Sequence, residues 1–177
     1  AAEKDTIDKR SPLVLLEMGA GRGMLGLATT LVACGAGLDV RFVMVERSTS
    51  RNKADSALRS QTGNESSNPH PKYMKIDPNK IEWSRVQCDL SHVHLPSVLQ
   101  EGKDASSSNS ESSSSKKRNI VVVAKHLCGA GTDLALKSLH PIKDQVKACV
   151  IATCCHGVCS WDDYVGRDYL RLAMEDT

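Results

Sequence analysis

Five short strand-like runs recur along the chain, four of them mostly apolar, with helical or polar stretches between them. The first, Leu13–Glu17, is apolar until its last residue and lies between Pro12 and a cluster of glycines. A continuous run of this length suits a strand buried on both faces of a parallel sheet. A helix is expected from about Met24 to Cys34, stopped by Gly35 and Gly37. Further strands are expected at Val40–Val45, Glu82–Cys88, Asn119–Ala124 and Ala148–Thr153. Arg47–Ser60 reads as a polar helix and Gln61–Asp77, rich in Gly, Asn, Ser and Pro, as a loop. A helix over Thr132–Leu139, with Thr132 as its N-cap, is stopped by Pro141, and the tail begins another helix. This alternation predicts an α/β fold, a mostly parallel sheet with helices on both faces.

One tract breaks the pattern. Asp104–Ser115 is mostly serine and is followed by Lys116-Lys117-Arg118. Such a composition cannot bury a core. Because the strand pattern resumes directly at Asn119, residues of about 103–118 read as a disordered insertion within one domain spanning 1–177.

Composition narrows the class only modestly. At 177 residues and 40% hydrophobic content, the chain can bury one sizeable core. Its net charge of +2 neither demands nor excludes a polyanionic partner. Aromatic residues are only 3%, too few for a platform that stacks bases. No apolar run approaches the roughly 18–20 residues that span a bilayer. Seven cysteines without a secretory signal are expected to be reduced thiols in an intracellular protein, nuclear or cytoplasmic.

The candidate chemistry gathers at strand ends, where open α/β sheets bind ligands. Glu17-Met18-Gly19-Ala20-Gly21-Arg22-Gly23 holds two overlapping glycine fingerprints, Gly19-x-Gly21-x-Gly23 and Gly21-x-Gly23-x-x-Gly26. The glycines alone leave open a dinucleotide, a methyl donor or a plain tight turn. The acids select among them. A carboxylate sits poorly beside a pyrophosphate at a helix N-terminus, so Glu17 favours a ligand with an ammonium and a sulfonium, as in S-adenosylmethionine. Glu46 ends the second run and can accept two ribose hydroxyls. Asp89, with the backbone of Leu90, can read an adenine edge. The expected cofactor-binding set is therefore Glu17, Gly19, Ala20, Gly21, Gly23, Glu46, Asp89 and Leu90.

The fourth run ends in Lys125-His126-Leu127-Cys128-Gly129-Ala130-Gly131-Thr132-Asp133. A ribose hydroxyl needs a base, or a cation for the developing alkoxide, before it can attack a methyl sulfonium. Lys125 and His126 offer those roles, and Asp133 can orient either. The cluster Cys154-Cys155-His156-Gly157-Val158-Cys159 is too crowded for a self-contained zinc site, and no metal ligands are assigned in this chain.

The glycine loop, the Lys125–Asp133 segment and the cysteine cluster together resemble the eukaryotic tRNA 2′-O-methyltransferases of the Trm-thirteen family, over about residues 13–170. The resemblance implies a class I, Rossmann-like methyltransferase fold, S-adenosylmethionine as donor, and the ribose of acceptor-stem nucleotide four of tRNA as acceptor. It also implies N-terminal Cys/His zinc motifs and closing C-terminal strands that this chain lacks, so the chain is expected to be a fragment. Gly157 stands where the family pattern calls for a second histidine. A methyltransferase of the same fold acting on a protein or small molecule, and a non-catalytic nucleic-acid-binding relic, are the competing readings.

Overall fold

The first apolar run forms β1 (Leu13–Met18), whose six residues are all buried. The structure is a computed structural model that describes residues 12–49, 53–59, 81–100, 118–154, 158–162 and 164–175. β2 (Val40–Glu46), β3 (Glu82–Gln87), β4 (Asn119–Lys125) and β5 (Val146–Ala152) complete one sheet. Its order is β3-β2-β1-β4-β5 and every pairing is parallel. The strand order therefore reverses between β1 and β4, where Leu13 lies opposite Asn119 and Met18 opposite Ala124.

Strand alternation sorts the core into two layers. Val14, Leu16, Met18, Val43, Val45, Ile120, Val122 and Ala124 pack on one face, under α3 (Leu95–Gln100) and α4 (Gly131–Leu139). Leu13, Leu15, Phe42, Met44 and Val123 pack on the other, under α1 (Met24–Gly35) and α2 (Lys53–Arg59). Helices thus cover both faces, as the alternation of elements predicts. α3 has only six residues and a weak sequence pattern, and tertiary contacts hold it. Leu95 and Leu99 are buried, and Arg41 donates to the Leu99 carbonyl at 2.8 Å while lying 3.5 Å from Glu82.

α4 ends at Leu139, as expected ahead of Pro141, and the chain then runs on as a 3-10 helix (His140–Gln145), whose first turn accepts a proline because the N–H it lacks would go unused there. α4 begins at Gly131 with Ala130 as its cap and no side-chain capping bond. The Thr132 hydroxyl is not the N-cap; it donates instead to the Leu127 carbonyl at 3.3 Å. α5 (Arg167–Glu175) is the expected tail helix. The Gln61–Asp77 loop, the serine tract and Cys155–Gly157 lie outside the described residues. Among the described residues, no helix is long and apolar enough to cross a membrane.

Candidate ligand cleft at the strand reversal

A cleft of about 690 Å³ opens beyond the carboxyl ends of β1, β2 and β4. This lies in the range of small-molecule sites, and it sits at the reversal of strand order where such sheets bind ligands. Gly19, Glu46, Asp89 and Leu90 line one side, and the His126–Gly131 turn lines the other.

Packing explains the glycine loop. Gly19 has φ 63°, and a Cβ there would collide with the side chain of Leu127. Gly23 has φ 72°, and a Cβ there would fall 2.7 Å from the Met44 sulfur and 2.8 Å from the Ala54 Cβ. Left-handed backbone and close approach both call for glycine at these two positions. Leu127 is therefore a wedge that seats the β4 turn against the β1 loop.

Glu46 pins the loop from beside it. Its Oε2 accepts the Gly21 N–H at 2.8 Å, and its Oε1 accepts the Ser48 N–H and hydroxyl at 2.8 and 2.9 Å. Burial alone would raise its pKa, but these hydrogen bonds and the Arg85 charge outweigh burial and hold it below the usual carboxylate range. Asp89 is also held low, first by the N–H and hydroxyl of Ser91 on Oδ1 at 2.9 and 2.7 Å. Its Oδ2 lies 3.6 Å from Arg47, itself in the cleft lining. Both acids are thus ionised at neutral pH and keep unused acceptor lone pairs.

Glu17 does not line this cleft. Residues 13, 15 and 17 share a strand face, so its side chain points under α1 and is 4% exposed. There its Oε2 has no hydrogen-bond partner. Burial raises its pKa from 4.5 to about 7, against the Gly26 backbone and the charges of Arg85 and Lys125. Between pH 4.5 and 7 the folded chain holds a proton that the unfolded chain has lost. Stability is therefore greatest below the lower value and declines as pH rises through the upper one. Glu17→Gln is expected to remove that decline, gaining up to about 3 kcal/mol over the wild type at pH 8 and little at pH 4. Urea unfolding across this range checks it; parallel wild-type and variant curves would contradict the assignment.

The remaining candidates divide. Ala20 is buried in the core with its N–H on the Val45 carbonyl at 3.0 Å, and Gly21 and Gly23 shape the loop from behind. Lys125 is exposed, and alternation places it on the Glu17 face, outside the cleft lining. His126 is exposed, lines the cleft, and has φ 62°, the sole positive φ outside glycine among the described residues. Asp133 is half-buried in the first turn of α4, outside the lining. Among the described residues, no three His, Cys, Asp or Glu side chains gather as a metal site.

Sequence reading missed Arg85. Its guanidinium grips Asp55 of α2 through Nε at 2.9 and 3.0 Å and Nη2 at 2.8 Å, and its Nη1 donates to the Gly21 carbonyl at 3.1 Å. The signal available was a charge at an inward strand position, since Arg85 lies opposite Met44.

Fold and cleft together define an α/β domain with a parallel sheet, in which acids at the ends of successive strands and a histidine of positive φ line one cleft. The family described as Methyltransferase TRM13 matches residues 2–176 of the chain. The chain belongs to that family. A protein of Saccharomyces cerevisiae named tRNA:m(4)X modification enzyme TRM13 is 26% identical over 95% of this chain and 37% of its own length. Homologues of that name in Mus musculus and Homo sapiens are each 27% identical over 88% of this chain and 34% of theirs. The chain thus spans about a third of the length of these relatives. No solved structure matches it.

Proposed function

We propose that this chain is the donor-binding part of a tRNA ribose 2′-O-methyltransferase with the class I, Rossmann-like fold. The observation that carries this reading is the convergence of Glu46, Asp89 and His126 on one cleft at the β1/β4 reversal. S-adenosylmethionine fits the donor set. Glu46 would accept a ribose hydroxyl on the lone pair left at Oε2, Asp89 and the Leu90 backbone would meet the adenine edge, and Gly19 lets the backbone approach closely. When bound, it supplies a methyl group on a sulfonium. His126, across the cleft, takes the proton of the acceptor hydroxyl, and Lys125, exposed on the opposite face of the strand end, contributes positive charge toward the polyanionic substrate. Family membership and the relatives' names support tRNA as that substrate. The acceptor-stem position and the ribose oxygen rest on the sequence resemblance.

Calorimetric titration of the chain with S-adenosylmethionine is the direct test, and a folded chain that gives no heat would overturn the reading. Glu46→Ala is expected to weaken donor binding about tenfold or more, since it removes the ribose acceptor and the anchor of the Gly21 N–H together. Ribose-methylation mapping of tRNA treated with the full-length protein identifies the acceptor. Modification found on a base instead would reject the 2′-O assignment.

A further inference from the structure

We propose that Cys128 and Cys154 are a redox-modification site, a thiol pair that closes to a disulfide on reaction with a peroxide and thereby reshapes the cleft. The two sulfurs lie 3.4 Å apart, though 26 positions separate them in sequence. Adjacent parallel strands bring them together: Lys125 and Ala152 are register partners, the His126 N–H donates to the Ala152 carbonyl at 3.4 Å, and each cysteine follows its strand end by two or three residues. Both are free thiols, Cys128 exposed and Cys154 half-buried.

The remaining described thiols are placed differently. Burial raises the pKa of Cys34 and Cys149, which leaves less of the reactive thiolate. Cys88 and Cys159 face the carbonyls of Asp89 and Ser160 at 3.4 and 3.6 Å.

A disulfide requires a sulfur separation of about 2.05 Å, so closure needs little more than an ångström of movement. Gly129, at φ 62° beside Cys128, sits in a turn able to absorb it. The exposed Cys128 thiolate attacks the peroxide, cleaving its O–O bond and forming a sulfenic acid with loss of one water. The Cys154 thiol then displaces the sulfenic hydroxyl as a second water, forming the S–S bond. Two thiols are oxidised and one peroxide is reduced to two waters. A dithiol reverses the bond by exchange.

The effect on the cleft follows from position. Cys128 lies between His126 and Gly129, all three in the lining, so the bond displaces the wall opposite Glu46 and Asp89. That consequence rests on the proposed donor site, whereas the bond itself does not.

The full chain is treated with hydrogen peroxide and digested without reductant. Mass mapping is expected to find the Cys128 and Cys154 peptides joined with the loss of two hydrogens, and separated again by dithiothreitol. Unlinked thiols, or a bond from either residue to a different cysteine, would overturn the proposal. In the oxidised chain, amide exchange across residues 126–131 is expected to slow and S-adenosylmethionine affinity to fall at least tenfold. Cys154→Ser, whose side chain is outside the lining, is expected to keep the reduced-state affinity and ignore peroxide. If the bond forms and amide exchange at the turn does not change, control of the cleft is refuted whatever the donor does. If the reduced chain itself binds no donor, it is the proposed function that fails.

Discussion

Arg85→Met is expected to destabilise the domain by about 3–5 kcal/mol, measured by urea or guanidinium unfolding at pH 7. The size follows from what the substitution leaves behind. The Arg85 and Asp55 side chains are 11% and 4% exposed, and several short contacts join them. Removing the guanidinium strands a carboxylate in a site that water barely reaches. Joining Arg85→Met with Asp55→Leu is expected to recover most of the loss, because two apolar side chains can replace a buried pair at little net cost. The double variant still lacks the bond to the Gly21 carbonyl, so its stability recovers while its glycine loop stays loose. Equal losses in the single and double variants would show that the pair is not the source of the effect.

The second large effect separates stability from activity. His126→Gly in the full-length protein is expected to lower methyl transfer roughly a hundredfold or more, the scale of a lost general base. The same change relieves a non-glycine residue at φ 62°, so the fold is expected to gain about 1 kcal/mol. Donor affinity by calorimetry should change far less than turnover. Gain in one quantity with loss in the other marks strain kept for function. If turnover survives, His126 is not the base. If stability falls, its left-handed backbone is supported by side-chain contacts rather than merely tolerated.

The sheet was legible because each strand declares itself locally. Leu13–Met18 and Asn119–Lys125 are apolar runs ending at turns, and the helices between them carry their own stop signals. The acids Glu46 and Asp89 were legible as cleft residues because a strand's carboxyl end is a fixed address in such a fold. Glu17 was not. β1 is buried on both faces, so its apolar run conceals which face residue 17 takes, and only packing shows that it joins Leu13 and Leu15 under α1. Lys125 was misplaced for the same reason, since adjacent strand residues point to opposite faces. His126 therefore enters the cleft and Lys125 does not. The Arg85–Asp55 pair and the contact of Leu127 with Gly19 depend on elements far apart in sequence, where no local spacing announces a partner.

The pairing of β1 with β4 bears on how the chain matures. Leu13 finds Asn119 only after β2, β3 and the intervening segments have been made, so this contact carries a large loop-closure cost and belongs late in folding. The Leu127 wedge beneath Gly19 cannot seat before then. On a ribosome, a nascent chain that has released β1 to β3 would hold Glu46 and Asp89 without the opposite wall of the cleft. A donor site built as proposed would therefore be complete only once the chain through Gly131 has emerged, which ties it to the strand pairing of greatest sequence separation in the sheet.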